Sequence, residues 1–475
     1  MAIQSEKDKV KHILRRFGLG ASQADLDKYG RNGAKMAVET LLGDLTIKDA
    51  YNLEATVYRN RTNDNFNTRH AQYHVYAKLI ATSRPLEAKM ALFWHDHFAI
   101  SAEKVTNAYL MADHWDLLSK HATSRLEDIL TATSKDPAMI FWLDNQQNVK
   151  GRPNENFARE VMELFTLGIG HYTEKDIQEA ARAFTGWTAG FTRNNATQTI
   201  RNGVPPRGSF FYFDARNHDT GEKEVLGSKG PFKGEDILGL LAGHPRTAEY
   251  ITWKAWEWFV YPNPEKQVID RVAAEYRANG LDTKALIRAI TNSPEFFSER
   301  AHRALVKNPI DYVIPTLRQL GVGECFLKNF DPKKDQSQSG AAMNPVGLAV
   351  IATQSMGMEL LMPPDVDGWT KGSGWISTAT IVERMKWADK LFGGPAGGRS
   401  MRVPAWPMIQ TNPTPEGVVG LLNQIFDVDV PMEKRKQLAD AARAGAGGAI
   451  NQRNANRAAH RVTQALFASP EFQFM

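Results

Sequence analysis

Two histidines in the run FWHDHF, from Phe93 to Phe98, are the first residues whose types and spacing point to chemistry. Residues i and i+2 of a helix point about 200° apart. His95 and His97 therefore cannot bind one metal ion from a continuous helix, and Ile100-Ser101 gives no strong helix stop. One histidine acting as a ligand beside a packed, hydrogen-bonded neighbour is the easier arrangement. The polar end of a helix is the plainer alternative.

A helix predicted to begin at Asn154 carries the second set of candidates. An apolar stripe covers most of it, and its polar residues share one narrow face at helical spacing, namely Asn156, Arg159, Glu160 and Glu163. Carboxylates on so apolar a helix need a cation, a hydrogen bond or a raised pKa. A buried network with Arg159 and Arg182 is the structural interpretation. A functional cleft that holds Glu160 and Glu163 is the alternative.

A metal centre would combine these two segments. His95, His97 and Glu160, with Glu163 as a further carboxylate, would suit Zn, Fe or Mn, which accept mixed imidazole and carboxylate ligands. The spacing matches no diagnostic metal-binding motif. The metal hypothesis therefore rests on residue types.

The run NHDTGEKEVLG adds a possible acid–base pair. His218 and Asp219 are adjacent, and Lys223 follows them. A carboxylate beside a histidine can set its tautomer for proton transfer. A turn in which Asp219 caps the backbone near Gly221 explains the same residues without catalysis.

The run PPDVDGWTKGSGW, from Pro363 to Trp375, is rich in turn-forming residues. It offers the carboxylates of Asp365 and Asp367 beside Trp369 and Trp375. Tryptophans on a loop can stack on a sugar ring, and they can equally fill the core. No nucleophile-elbow, Walker or dinucleotide-binding fingerprint appears, which removes several common enzyme classes.

Helical periodicity dominates the elements that must position these residues. Predicted helices include 68–83, 84–100, 106–119 and 125–134, whereas SFFYFD is the only strand-like run. Two stretches, 188–234 and 321–347, are expected to be long loops. We therefore predict a mainly α fold, a large multi-helical body with long irregular loops and at most a small β-hairpin.

A stretch rich in glycine and proline at 393–415 predicts a boundary within this fold. The main body, 1–392, would contain the site. The segment 416–475 is expected to be helical and to pack on that body.

The composition limits the partners. The 475 residues are 42% hydrophobic, enough for a large core. The net charge of +5 is not gathered into blocks, which indicates a solvated surface and no nucleic-acid partner. The one cysteine, Cys325, cannot form an intrachain disulfide, which fits a reducing compartment without excluding export.

The N-terminal run MAIQSEKDKVKHILRRF resembles an amphipathic helix and not a signal peptide. No stretch approaches the roughly 18 apolar residues of a membrane span. The sequence therefore favours a cytoplasmic protein, or an exported periplasmic one if a signal precedes this chain.

These motifs together resemble the bacterial domain of unknown function 1800 family. The resemblance rests on RRFGLGAS, FWHDHF, GRPNENFAREVMELFTLGIGHYTEKDIQEAARAFTGW, HDTGEKEVLG, HPRTAEYITWKAWEWFV, DVDGWTKGSGWISTATIVERM and SPEFQ, in order along nearly the whole chain. It implies one common body with a shared polar site. The positions that match the motifs are His95, His97, Asn154, Glu155, Asn156, Arg159, Glu160, Glu163, Trp187, His218, Asp219, Asp367 and Trp369. It also implies export and a sulfatase-like partner protein.

The leading functional hypothesis is a hydrolase that acts on a polar polymer, a polysaccharide above all. Its expected catalytic residues are Glu160, Glu163, His95, His218 and Asp219. Its expected substrate-binding residues are Asn154, Glu155, Asn156, Arg159, Trp187, Asp367, Trp369 and Trp375. The alternatives are a metal-dependent oxidoreductase that uses the same residues and a non-catalytic module that binds a glycan or a protein.

Overall fold

The computed structural model describes residues 3–61, 63–193, 196–200, 202–334, 343–394 and 399–475. Most of these residues are helical, which confirms the predicted mainly α class. The helices that precede the sheet are α1 (Glu6–Phe17), α2 (Gln23–Tyr29), α3 (Gly33–Gly43), α4 (Thr68–Ala81), α5 (Pro85–His97), α6 (Ala108–Lys120), α7 (Leu126–Ser134), α8 (Pro137–Trp142), α9 (Asn156–Glu163) and α10 (Glu174–Phe184).

The second half of the chain is also helical. Its helices are α11 (Gly234–Gly243), α12 (Pro245–Phe259), α13 (Lys266–Ala278), α14 (Thr283–Asn292), α15 (Pro309–Gln319), α16 (Val322–Asn329), α17 (Asn344–Ser355), α18 (Thr378–Phe392), α19 (Trp406–Ile409), α20 (Pro415–Ile425), α21 (Met432–Ala446), α22 (Ala455–Ala468) and α23 (Pro470–Gln473). Helix α16 lies inside 321–347, where we expected a loop, because buried Phe326 anchors it to the core.

The stretch expected to be a loop with one small hairpin contains more β structure. Its strands are β1 (Trp187–Arg193), β2 (Ala196–Ile200), β3 (Phe210–Phe213), β4 (Lys223–Val225) and β5 (Ser228–Gly230). Strand β1 pairs antiparallel with both β2 and β3, and β4 pairs with β5. The sequence did not reveal β2 because it is mostly exposed and shows no alternation of apolar and polar residues.

Local signals explain many helix ends. Ser5 accepts a hydrogen bond from the backbone N–H of Asp8 at the start of α1. Gly18 ends that helix. The buried face of the helix combines apolar residues at helical spacing with buried His12 and Arg16. Ser22 and Asp25 then form a reciprocal capping box at the start of α2.

Helix α5 ends at His97 and not near residue 100. Phe98 has φ −105° and ψ 54°, so the backbone leaves the helix at this position. All of its residues from Ala88 to His97 are buried. The FWHDHF run is therefore the buried C-terminal end of a helix, from which the side chains of the last turn face several elements.

The C-terminal segment packs on the rest of the helices. Helix α22 contacts α18, and the Tyr312 hydroxyl of α15 donates a hydrogen bond to the carbonyl of Phe467. The predicted boundary at 393–415 stays a prediction, and residues 395–398 of it lie outside the described residues. Within the described ranges no helix is both long enough and apolar enough to cross a membrane.

Candidate functional site

A deep pocket of about 230 Å³ lies where α5 ends, between α12, the start of α15 and the segment 358–375. We call it the Lys254 pocket. Its polar lining residues are Asp96, His97, Lys254, Glu257, Asn308, Asp311, Thr370, Lys371 and Ser373, and its aromatic ones are Phe93, Trp258, Trp369 and Trp375. Two of the predicted motifs, FWHDHF and PPDVDGWTKGSGW, therefore meet in one place.

Asp96 is the carboxylate that joins these two segments. It is 4% exposed, and its Oδ1 accepts a hydrogen bond of 3.0 Å from the backbone N–H of Trp369. Its other oxygen has no hydrogen-bond partner in the part of the chain that the structure describes. Burial raises the pKa of Asp96, whereas Lys371 and Lys254 act in the opposite direction. As a carboxylate, Asp96 is therefore a stronger base than an ordinary aspartate.

Gly368 allows this close contact. Its φ of +90° lies in the left-handed region, and a Cβ atom there would overlap Asp96 Oδ1. No other residue type combines this positive φ with the lack of a Cβ atom beside Asp96 unless the backbone shifts. The glycine of the DGW run is therefore required for the 365–369 turn to lie against α5.

Lys254 of α12 is the matching cation. It is 7% exposed, and burial together with the nearby charge of Lys371 lowers its pKa to about 8. Its Nζ lies 3.9 Å from Asp367 Oδ1, a long ion pair whose carboxylate is mostly exposed. Asp96 and Lys254 do not form a direct ion pair, although both line the same pocket.

His97 also faces the pocket. Its Nε2 lies 3.2 Å from the carbonyl of Phe165 and donates to it, which leaves Nδ1 as the unprotonated nitrogen. That Nδ1 is buried and has no partner among the described residues. Burial, then the charge of Lys254, lowers the pKa of His97 well below its ordinary value. His97 is therefore a neutral imidazole with one free acceptor.

His95 points elsewhere. Its Nε2 accepts a hydrogen bond of 3.1 Å from the backbone N–H of Leu361, so the proton lies on Nδ1. The ring packs edge-on against Trp115 and Trp369. Burial and the neighbouring His114 lower its pKa to about 3. The lone pair that a metal ion or a substrate proton would need is already occupied.

The described residues do not form a cluster of metal ligands. Across the described ranges there is no group of three or more His, Cys, Asp or Glu side chains arranged to hold a metal ion. His95 does not fit a ligand, whereas His97 has a free nitrogen. The set His95, His97 and Glu160 stays a prediction, with His97 its best-suited member.

A second, more open groove of about 520 Å³ adjoins the pocket, and both share Lys254 and Lys371. We call it the Glu163 groove. Its charged and aromatic lining residues are Glu163, Arg246, Glu249, Tyr250, Trp253, Lys254, Lys266, Asp270, Asp367 and Lys371. Glu163 accepts a hydrogen bond of 2.5 Å from the Tyr172 hydroxyl. The predicted carboxylate thus lies in the groove.

Glu160 is half-buried and lies near Glu163. Burial, with the charge of Glu163 second, raises its pKa. Its side chain has no hydrogen bond or ion pair within the described parts of the chain. The predicted network with two arginines is absent there, because Arg159 pairs with Glu174 and Glu155, and Arg182 pairs with Asp219 and Glu179.

The residues before Glu160 organise the start of α9. Asn154 Oδ1 accepts from the backbone N–H of Asn156, whose side-chain amide donates to the carbonyl of Leu143. Glu155 forms an ion pair with Arg159. These contacts hold the turn before α9, and none of these residues lines the Lys254 pocket or the Glu163 groove.

The His218–Asp219 pair forms a turn. Asp219 Oδ1 accepts from the backbone N–H of Gly221, and its carboxylate pairs with Arg182, which lowers its pKa to about 2. His218 Nδ1 donates to the carbonyl of Thr185. Asp219 and Gly221 thus form the turn that the structural interpretation predicted, and the two side chains bind different partners.

Trp187 lies in the core and not at the pocket. It is buried, and it packs against Phe184 and Phe211. Gly234 approaches it so closely that a Cβ would overlap the indole. A ligand from solution cannot stack on this ring, whereas Trp369 and Trp375 line the Lys254 pocket.

Sequence reasoning missed Asp96, Lys254 and Lys371. Asp96 lies between two histidines, whose residue type is the stronger sequence signal for a metal or proton-transfer site. Lys254 lies at i+4 from Tyr250 and at i−4 from Trp258, so it interrupts an aromatic stripe on α12. A lysine in such a stripe is the signal that points to a buried cation.

Fold and site together define a mainly α-helical protein whose tryptophan-lined pocket holds buried charges of both signs. The chain belongs to the family described as Protein of unknown function (DUF1800), whose model matches residues 12–474. Comparison with curated proteins finds no significant match. Comparison with solved structures finds none either.

Proposed function

We propose that this protein is a hydrolase of a polar polymer, a polysaccharide above all, and that the Lys254 pocket is its active site. One observation carries the proposal. Asp96 and Lys254 are each more than nine-tenths buried, face the same pocket and are not paired with each other. Burial of opposite charges without direct pairing is costly, and active sites are where such arrangements occur.

The pair suits general acid–base catalysis. As a carboxylate, Asp96 takes a proton from a water molecule while the water oxygen attacks the carbon at the bond to be cleaved. As an ammonium, Lys254 donates a proton to the oxygen of the leaving group, which departs as an alcohol. Burial strengthens Asp96 as a base and Lys254 as an acid, so both pKa values move toward neutral pH.

The expected catalytic residues change accordingly. Glu163 lines the adjoining groove and fits a substrate-binding role, and Glu160 lies beside it. His97 offers its free Nδ1 as an acceptor inside the pocket. His95 and the His218–Asp219 turn are engaged in contacts that hold the fold.

The shape of the site favours a chain-like substrate. The groove is open and shares Lys254 and Lys371 with the pocket, so a polymer bound along the groove would meet the pocket at these two lysines. Tyr250 and Trp253 stack there at 6.0 Å between ring centroids. Aromatic faces next to carboxylates and cations provide the stacking and hydrogen bonds that a sugar chain requires.

The test is turnover of soluble polysaccharides by the full chain. Dextran, polygalacturonate and chitosan represent neutral, acidic and basic polymers, and release of new reducing ends is measured for each. We expect at least one to be cleaved, with Asp96→Asn and Lys254→Met each reducing the rate about 100-fold or more. Lys386→Met is the matched control, because Lys386 is exposed and pairs only with Glu383 within the described residues.

Binding is measured separately by retardation of the protein in gels that contain each polymer. Retardation without cleavage would replace the enzyme by a glycan-binding module. Cleavage that survives both substitutions would move the active site away from the pocket. Neither retardation nor cleavage with any of the three polymers would overturn the polymer substrate.

A further inference from the structure

A second concentration of buried charge lies behind the Lys254 pocket, between α1, α15 and the C-terminal helices. A cavity of about 20 Å³ there is lined by three cations, Arg15, Arg303 and Lys307. The acidic residues that line it are Asp311 and Asp427. The proposed function uses neither this cavity nor its cations.

The acids do not balance the cations. Asp311 is engaged by buried Lys89 in an ion pair. Asp427 accepts from both Arg15, at 2.7 Å, and Lys11, at 3.1 Å. Arg16 is fully buried nearby, and its Nε and Nη1 have no partner among the described residues. One available carboxylate therefore faces an excess of positive charge.

Lys307 is the cation with the least compensation. It is 8% exposed, and its Nζ lies 3.7 Å from the centroid of the Phe472 ring. The Nζ makes no hydrogen bond or ion pair to the parts of the chain that are described. In that position the ammonium is stabilised by the ring face and by the more distant charge of Asp427, which offset only part of the cost of removing it from water.

Burial and mutual repulsion lower the pKa values of these cations. Burial, followed by the charges of Arg303 and Arg15, lowers the pKa of Lys307 well below its ordinary value. Burial and Arg15 lower that of Arg303 to about 10. A negative charge placed between these groups would remove the repulsion.

We propose that this cavity is a binding site for a small monovalent anion, namely chloride. A cavity of about 10–15 Å³ is needed to hold one water molecule, so this cavity of about 20 Å³ has room for one ion of similar size and leaves little room for phosphate. Arg15, Arg303 and Lys307 supply the donors. The ion would join α1 and α15 to the C-terminal helices.

The test measures the melting temperature of the full chain as sodium chloride replaces sodium gluconate at constant ionic strength. We expect a rise on the order of 1–2 °C once chloride reaches about ten times its Kd, and the same rise with bromide. Lys307→Met should abolish the rise. The matched control Lys386→Met should keep it, because Lys386 lies on the surface.

Three results would overturn the site. They are a wild type that does not respond, an equal response in Lys307→Met, and an equal response to phosphate in place of chloride. If Lys307→Met does not fold, Arg15→Gln makes the same test, since it removes a second cation of the cavity. A full chloride response in Arg15→Gln would then refute the proposal.

Discussion

Replacing Lys254 by methionine should stabilise the protein while it abolishes activity. The ammonium is buried without a close counter-ion, since its nearest carboxylate oxygen is 3.9 Å away on exposed Asp367. The difference between the ordinary pKa of 10.5 and about 8 corresponds to about 3 kcal/mol, at about 1.4 kcal/mol for each pKa unit. Methionine fills a similar volume without that cost.

The pH dependence isolates the contribution of Lys254. Its folded-state pKa is below its unfolded value, so the unfolded chain binds more protons between about pH 8 and pH 10.5. The buried ammonium therefore destabilises the wild type fully below pH 8, and this destabilisation disappears as the pH rises from about 8 to 10.5. Lys254→Met has no such group, so its advantage should be largest at pH 7 and nearly absent above pH 10.5.

Thermal unfolding followed by circular dichroism at several pH values measures this difference. For a chain of 475 residues, about 3 kcal/mol corresponds to about 3 °C in Tm. The exposed Lys386→Met should change stability by less than about 0.5 kcal/mol at every pH. A Lys254→Met variant that is less stable than the wild type at pH 7, or an advantage independent of pH, would refute the burial argument.

Three further predictions concern the same cleft. Gly368→Ala should lower stability by at least about 1 kcal/mol, because its φ is +90° and its Cβ would overlap Asp96; an unchanged Tm would contradict this. Glu160→Gln should leave Tm unchanged or raise it at pH 7, since Glu163 repels the Glu160 side chain, which forms no ion pair among the described residues. A large fall in Tm would instead support the predicted ion-pair network. Turnover should follow a bell-shaped pH profile. Its acid limb should lie above the ordinary aspartate pKa, where Asp96 is protonated, and its basic limb near pH 8, where Lys254 loses its proton. A flat profile through pH 8 would exclude Lys254 as the acid.

The mainly α fold was predictable because helix signals are local. Ser5 and Ser22 start α1 and α2 with side-chain caps, and Gly18 ends α1, all within a few residues of the groups that they bind. The exposed polar strand β2 carried no such local pattern and was missed.

The candidate site was predictable only in pieces. The runs that contain Asp96 and Trp369 were both recognised, but their hydrogen bond joins residues 273 positions apart. No local pattern encodes that contact. Lys254 interrupts the aromatic stripe of α12, which is a sequence signal for a buried cation, but its position in one pocket with Trp258 and Trp369 follows from tertiary packing.

The two histidines and the aspartate of FWHDHF have three separate structural tasks. His95 accepts from the backbone of Leu361, Asp96 from the backbone of Trp369, and His97 donates to the carbonyl of Phe165. The 200° separation that prevents His95 and His97 from sharing a metal on a helix is what allows them to bind segments on different sides of α5. Two of these contacts hold the loop that carries the pocket tryptophans, and the third holds the turn that follows Glu163. The end of α5 therefore joins the pocket to the groove. The second carboxylate oxygen of Asp96 makes no hydrogen bond to the described residues, and it is the atom that the proposed mechanism uses as a base.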